Sequence, residues 1–264
     1  MINSFQIWAH APINLLPSTQ LNPDFQIAQT LFHVENMVST LVDATQTNDA
    51  GVLATMITGG NGGSNLQNQN IGAAPGLWLP PFRNSEGTDE IVQLAPYERM
   101  SFTYDNVDTV NEFDNIQTAF LGHNDYTGAY SVQLIRRFLA LTPLVTVPAG
   151  GTVNQTIFIN PFNDDQAGVG YGMLVKAFVG IYPSLSMLVI IRDEGSMYQL
   201  MNTPIFMDNF VYNFNAENNF RPQPFSPWIA PQRHQYTVSF LNTSDEDAPA
   251  QLGFYGNLCS WTVK

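Results

Sequence analysis

Apolar and polar residues alternate in short runs over much of the chain from Leu77 onward. Met100, Phe102 and Tyr104 alternate with polar neighbours, and so do Tyr236, Val238 and Phe240. This period of two is typical of half-buried strands. Further strands are predicted at about 132–141, 143–147, 152–159, 172–182, 186–192, 196–201, 205–214 and 251–263, with a turn at 148–151. Such a density of strands predicts a mainly β fold, an antiparallel sandwich or barrel.

A different spacing precedes these strands. Asn22, Pro23 and Asp24 resemble a helix start, because asparagine caps, proline tolerates the first helical position and aspartate suits the helix dipole. The apolar stripe that follows predicts one amphipathic helix over 24–45, resuming over 50–57. It consists of Ile27, Leu31, Val34, Val38, Leu41 and Val42. A second helix is a weaker prediction over 109–121, and the segment before Leu21 is predicted to be an extended arm.

Two segments are unusually long for loops of a compact monomer. Residues 58–76 are rich in glycine and asparagine, and residues 214–236 contain four prolines with Phe220, Phe225 and Trp228. The aromatic residues of the second loop are expected to pack against a surface. We predict an N-terminal region over 1–76, with arm, helix and loop, and a β-sandwich domain over 77–264. No internal repeat is visible.

The composition narrows the classes of function. Only 12% of the 264 residues are charged, the formal net charge is −13, and two residues are lysines. Direct nucleic-acid binding is therefore disfavoured, because phosphate contacts need clustered cations. The single Cys259 disfavours a disulfide scaffold. No apolar run approaches the roughly 20 residues that span a bilayer, and the first residues lack the pattern of a signal peptide, so no membrane partner is expected.

Motifs for catalysis and cofactors are weak. The glycine cluster at 59–63 lacks the phosphate-binding spacing, the four histidines do not form metal-binding pairs, and Cys259 is expected to be a small buried residue. We predict no catalytic residue, no resident metal and no cofactor, and a small-molecule ligand is not expected. Acidic pairs at 164–165, 193–194 and 245–247 lie in predicted turns, where a structural Ca²⁺ is an alternative to simple turn chemistry.

Arg136 and Arg137 interrupt an apolar strand. Neighbouring side chains of a strand point to opposite faces, so one arginine points into the sandwich unless the strand bulges or lies at an interface. Interfaces are depleted in lysine and acids and enriched in aromatics, methionine and arginine. We predict an ion pair between subunits or sheets, with anion binding as the alternative. The candidate interface residues are Arg136, Arg137, Phe220, Phe225 and Trp228.

The strand-dense region 97–263, its proline-rich loops and its ending resemble jelly-roll structural proteins of viruses, particularly bacteriophages. In that ending, residues 238–244 and 250–256 resemble the last two strands of many such sandwiches. The resemblance implies a jelly-roll-like β-sandwich in a virion, forming a homo-oligomer and contacting other virion proteins. The expected function is non-enzymatic assembly as capsid, capsid decoration or head–tail accessory subunit. The alternative is a carbohydrate- or receptor-binding sandwich of a phage adhesin, in which Trp78 or Trp228 stacks on sugars; a glycan hydrolase is a third candidate.

Overall fold

The computed structural model describes residues 5–27, 30–43, 52–58, 64–65, 71–72, 76–79, 92–124, 130–160, 168–183, 185–195, 198–214, 225 and 227–263. The described residues are almost entirely strands in antiparallel, sandwich-like sheets, which confirms the mainly β class. Their one helical element is a single 3-10 turn, Met207–Asn209. None of the described helical residues forms a span long and apolar enough to cross a membrane.

Contacts within the chain divide it into two compact units. The N-terminal unit contains residues 7–122, and the C-terminal unit contains residues 123–264 together with residues 1–6. The predicted division between 76 and 77 does not coincide with this boundary. The reason is that residues 7–76 do not form an appendage, since their strands pair with strands formed by residues 92–124.

The N-terminal unit is built from two six-stranded sheets. The first has the order β1–β12–β5–β10, with β2 also beside β12 and β9 beside β5; the second has the order β3–β11–β6–β7, with β4 beside β11 and β8 beside β6. The strands are β1 Phe5–Ala9, β2 Ile13–Leu15, β3 Gln20–Leu21, β4 Asp24–Gln26, β5 Phe32–Asp43, β6 Val52–Thr58, β7 Ser64–Asn65, β8 Ile71–Gly72, β9 Gly76–Leu79, β10 Val92–Leu94, β11 Arg99–Asn106 and β12 Phe113–Asn124.

The core of this unit lies between its two sheets. Phe102 and Phe25 from the second sheet meet Phe120 from the first, with ring centroids 6.0 and 5.5 Å from that of Phe120. The predicted alternation in β11 is confirmed, because Met100, Phe102 and Tyr104 are all fully buried. β11 thus turns its apolar face toward the core between the two sheets.

The C-terminal unit also has two sheets, ordered β13–β23–β16–β20 and β15–β22–β17–β18. β14 pairs with β23, β21 with β16 and β19 with β17, and the pairs are antiparallel except that β20 runs parallel to β16. The strands are β13 Tyr130–Leu141, β14 Val145–Val147, β15 Thr152–Phe158, β16 Gly170–Ile181, β17 Met187–Asp193, β18 Tyr198–Gln199, β19 Ile205–Phe206, β20 Val211–Asn213, β21 Trp228–Pro231, β22 Gln235–Asn242 and β23 Ala248–Val263.

Both units follow one strand order. If the successive strands or strand pairs of each unit are numbered one to eight, the first sheet reads 1-8-3-6 and the second 2-7-4-5 in both. The seventh strands, β11 and β22, even share one pattern of burial along all their residues. The expectation that the chain has no internal repeat is therefore wrong at the level of topology.

The repeat extends to a buried asparagine at the end of the seventh strand. Asn106 Nδ2 donates to the carbonyls of Leu15, Leu16 and Asn111, and Asn242 Nδ2 donates to those of Val147 and Glu246. Each side-chain oxygen accepts the N–H two residues ahead. The same asparagine thus ties the turn between the last two strands to the end of the first strand in both units.

The first strand of each unit is interrupted, between β1 and β2 in one and between β13 and β14 in the other. The same kind of hydrogen bond from a glutamine side chain bridges the interruption in both. Gln117 Nε2 donates to the carbonyl of His10, and Gln251 Nε2 donates to the carbonyl of Thr142, at 3.0 and 2.9 Å. The side chains of His10 and Thr142 in turn accept the backbone N–H of Thr118 and Leu252. Buried backbone groups must find partners, and these side chains supply them where the ladder stops.

A glycine in the last strand allows its close approach to the third strand. A Cβ at Gly122 would lie 1.9 Å from the carbonyl oxygen of His33, and a Cβ at Gly256 would lie 1.9 Å from that of Leu174. No side chain fits at such a distance. Both positions therefore require glycine, at matching places in the two units.

The predicted helix over 24–45, with its continuation over 50–57, is wrong. The described residues of these ranges lie mainly in β4, β5 and β6, and the weaker helix over 109–121 is replaced by β12, which begins at Phe113. The two errors have different reasons. In β5 every residue from Phe32 to Ser39 is buried, so both faces are covered and the period of two is lost. In β12 a β-bulge shifts the register between Phe113 and Ile116. A bulge inserts one residue and turns a spacing of two into three, which imitates the spacing of a helix.

Other expectations are met in part. The predicted turn at 148–151 is confirmed, with Gly150 at a φ of 59°, and the strands around 152–159, 186–192, 235–241 and 251–263 are present. The segment before Leu21 is extended, but β1, β2 and β3 are paired in sheets rather than forming a free arm. Most of the loop at 58–76 lies outside the described residues, apart from short strands that pair with β6 or β5.

We predict that Asn242→Ala lowers the free energy of unfolding by about 3 kcal/mol, because it leaves two carbonyls and one N–H without their partner. Asn106→Ala should cost a similar amount. The measurement is urea denaturation followed by circular dichroism. The control is Asn154→Ala, an exposed asparagine of β15, which should change stability by less than about 0.5 kcal/mol. Losses below 1 kcal/mol in both core variants would contradict the role given to these asparagines.

Candidate interaction surface

β13 is the first strand of the C-terminal unit and lies at the edge of its sheet. It pairs with β23 along 11 residue pairs, and among the described strands it has no partner on its other side. Long, apolar strands at a sheet edge are normally covered or blunted, because their free backbone groups and side chains invite another chain. β13 is therefore the first place to look for an interaction surface.

Apolar side chains are exposed on the outer face of this sheet. Leu141, Gly253, Val179 and Tyr212 lie in one row across its four strands, and Leu139 and Tyr255 lie in the next row. Leu139, Leu141, Tyr212 and Tyr255 are 38–42% exposed, and we call these four residues the β13 face. A cluster of large exposed apolar residues on a sheet marks a surface for binding rather than for solvent.

The exposed apolar surface extends beyond the β13 face. Leu134 and Ile135 are each 49% exposed at the bulge of β13, and Phe214 is exposed beside Tyr212, with ring centroids 5.9 Å apart. The twelve residues of β13 span about 40 Å, and four strands span about 14 Å, which gives a face on the order of 600 Å². A standard protein interface buries about 800 Å² on each partner, so the face and its rim are of sufficient size.

Arg136 and Arg137 lie at this surface. Arg136 pairs with Leu258 and Arg137 with Asn257, so the two side chains leave opposite faces of β13, and both are exposed. The strand is bulged between Leu134 and Arg136, which is one of the two arrangements that allow both arginines to avoid the core. Within the described residues neither guanidinium has an ion-pair partner. The predicted ion pair to another subunit stays a prediction.

The aromatic interface candidates are placed differently. Phe225 and Trp228 are buried in the C-terminal unit, 9% and 4% exposed. Phe225 packs 5.4 Å from Phe178, and Trp228 packs 5.6 Å from Phe254. The expectation that this loop packs its aromatics against a surface is met within the chain's own core. Phe220 lies outside the described residues.

The His234–Asp193 pair and the Cys259 thiol resemble groups that occur in catalytic sites. His234 Nδ1 lies 2.9 Å from Asp193 Oδ2, while Asp193 Oδ1 accepts the N–H of Gly195. Within the described residues no hydroxyl or thiol is bonded to this imidazole. Cys259 is fully buried, and burial raises the pKa of its thiol to about 11, so it stays protonated at neutral pH. The pair from His234 and Asp193 closes a turn, and no nucleophile accompanies it among the described residues.

The acidic pairs do not form a metal site in the part of the chain that the structure describes. No three histidine, cysteine or acidic side chains converge there. Residues 245–247 form an exposed turn in which Asp247 accepts the N–H of Ala149, and the pair at 164–165 lies outside the described residues. Asp247 is thus used locally, as turn residues commonly are.

A buried polar cluster lies inside the N-terminal unit. His10 Nε2 accepts the N–H of Thr118, so Nδ1 carries the proton and donates to the carbonyl of Ala11 at 2.7 Å. The Tyr104 hydroxyl lies 2.9 Å from Nε2 and 2.6 Å from Thr118 Oγ1. All three side chains are at most 1% exposed, so no substrate reaches them. Burial lowers the pKa of His10 to about 4 and raises that of Tyr104.

Comparison with known proteins does not assign the chain to a family. No family model matches the chain, and no curated protein matches it. Among solved structures, the chain is similar at 12% identity to a chain from Sulfolobus Turreted Icosahedral Virus, with 97% of this chain and 60% of that chain covered and a TM-score of 0.24. It is similar at 11% identity to a β-porphyranase of glycoside hydrolase family 86 from Bacteroides plebeius, with 95% and 36% covered and a TM-score of 0.23. The chain thus spans little more than half and about a third of these two chains, and neither likeness carries an argument at such scores.

We predict that acid weakens the fold through His10. The unfolded imidazole binds a proton below about pH 6.5, whereas the folded one binds it only below about pH 4. Stability from this group is therefore complete above pH 6.5 and is lost as the pH falls to 4, by about 3 kcal/mol. The measurement is urea denaturation of the wild type and His10→Gln, whose amide is neutral throughout. The difference in stability between them should shrink over this window, and a constant difference would contradict the role of His10.

Proposed function

We propose that this chain is a non-enzymatic structural protein of a virion, particularly a bacteriophage virion, that acts by self-assembly. Its place would be in a capsid shell, in a capsid decoration or in a head–tail accessory ring, and its partners would be copies of itself and other virion proteins. The observation that carries the proposal is the exposed apolar β13 face on a two-sheet unit.

The strand order supports the proposal. Sheets ordered 1-8-3-6 and 2-7-4-5 are those of a jelly roll, a double-sheet fold that serves viral capsids as well as lectins and cupins. The described strands thus contain this order twice, once in each unit. The fold alone does not specify function, so the surface must decide between these uses.

The surface favours contact with protein. The composition has few lysines and many aromatic residues, and the exposed part includes large apolar side chains on a sheet edge together with arginines. This combination is the one that distinguishes interfaces from solvated surfaces. The net charge of −13 suits a subunit whose free surface points away from packaged nucleic acid, because phosphates repel it.

One of the two tryptophans named for the carbohydrate-binding alternative cannot contact a sugar. Trp228 is buried among Phe5, Tyr236 and Phe254, so its ring is not available to stack on a sugar. Trp78 lies in β9, and its side chain is outside what the structure describes. The glycan hydrolase alternative would need paired acids in a cleft, whereas Asp193 and Asp247 each accept a backbone N–H of a turn.

We predict that the purified chain forms discrete oligomers or particles at micromolar concentration. Light scattering coupled to size-exclusion chromatography gives the mass, and negative-stain electron microscopy gives the form. Assembly should strengthen with protein concentration, as for any association. A folded monomer at all concentrations up to 100 micromolar would contradict an assembly role. Glycan-array binding by such a monomer would favour the carbohydrate-binding alternative instead.

A further inference from the structure

The same face of the first sheet is buried in the N-terminal unit and exposed in the C-terminal unit. The register of the last strand matches Gln117 with Gln251, because each donates to the carbonyl at the break of the first strand. Counting along the strand from this pair matches Leu121 with Tyr255. Leu121 is fully buried, whereas Tyr255 is 38% exposed.

The first strands differ in the same direction. His10 matches Thr142 at the break, so Ile7 matches Leu139 and Ala9 matches Leu141. Ile7 and Ala9 are at most 1% exposed, whereas Leu139 and Leu141 are both 39% exposed. The fold therefore has a face that is buried in the N-terminal unit and exposed in the C-terminal unit, where two of the three matched side chains, Leu141 and Tyr255, are larger than their counterparts Ala9 and Leu121.

We propose that a second copy of this chain covers the β13 face in the assembled state. The inference rests on the proposed function, and it names the surface by which subunits meet. Charge identifies the occupant, because Arg136, Arg137 and Lys176 are exposed on β13 and β16, and they are three of only nine cations in the chain. A chain with 22 acids and a net charge of −13 is itself a complementary partner.

The same charges set the kind of contact. Arg137 leaves β13 on the same side as Leu139 and Leu141, so if two copies met through identical faces, Arg137 of one would approach Arg137 of the other. Like charges in an interface are unfavourable, so the β13 face meets a different, acidic surface of the next copy. Such a heterologous contact leaves the next β13 face free, and it builds closed rings or extended arrays rather than an isolated dimer.

The single buried cysteine makes a direct test available. Cys259 is fully buried with a raised thiol pKa, so an introduced surface cysteine is the only fast-reacting thiol. The experiment measures maleimide labelling of Leu139→Cys below and above the concentration at which the protein assembles. We expect labelling to slow at least tenfold in the assembled state. Val110→Cys, at an exposed residue of the N-terminal unit, is the reference and should slow less than threefold.

Charge reversal gives an independent readout. Arg136→Glu with Arg137→Glu should abolish assembly, whereas the double change to lysine should retain it at low salt. Arg192→Glu, an exposed arginine on the other sheet of the same unit, carries the same change per residue and should assemble normally. Thermal unfolding confirms that each variant is folded.

The outcomes separate the two proposals. If the wild type never assembles, the proposed function fails before this surface is tested. If the wild type assembles while Leu139→Cys labels equally fast in both states, or the double glutamate variant assembles normally, the inference about the β13 face is overturned. The inference is also overturned if the double glutamate variant loses binding to another virion protein but still self-assembles, because the β13 face would then belong to a different partner.

Discussion

The fold of each unit depends on the last strand being paired on both sides within its sheet. β12 and β23 lie between the first and third strands, so both of their edges carry hydrogen bonds. That position demands a glycine where the third strand approaches, at Gly122 and Gly256, and it demands side-chain partners where the first strand breaks. Once this strand is fixed, the asparagine at the preceding turn ties the end of the first strand to it.

These requirements are met with different residues in the two units. Histidine closes the break in one unit and threonine closes it in the other, each by accepting an N–H of the last strand. The choice has a cost for the N-terminal unit, since a buried imidazole that must stay neutral is sensitive to acid. The geometric requirement is shared, while the chemistry that meets it is free to vary.

The sequence predicts the strands whose alternation is unbroken, and it fails where a bulge intervenes or where both faces of a strand are buried, as in β5. β11 and β22 keep a strict period of two, and both were predictable from Met100, Phe102 and Tyr104 and from their counterparts Tyr236, Val238 and Phe240. In β16 the prediction holds for Met173 and Val175, but a bulge then moves burial from Ala177 to Phe178. A single inserted residue is invisible in composition and reverses every later assignment to a face.

The repeat escaped sequence reading for a related reason. Its shared residues are few: an asparagine, and then a glutamine, a phenylalanine and a glycine in the last strand of each unit, where Phe120 matches Phe254. One signal was present, since Asn106 and Asn242 each follow an alternating strand. Arg136 and Arg137 were identified from sequence because charge interrupts an apolar run, whereas the exposed state of Leu139 and Tyr255 depends on which sheet edge is left uncovered.

Two sandwich units on one chain fix a ratio that separate subunits would have to achieve by regulated synthesis. Every copy of the chain carries one of each, whatever its concentration. Substitutions in one unit are not copied into the other, so the surface of one can change while the other keeps its own. Covalent linkage thereby keeps two diverging copies of one strand order together without any mechanism for sorting them.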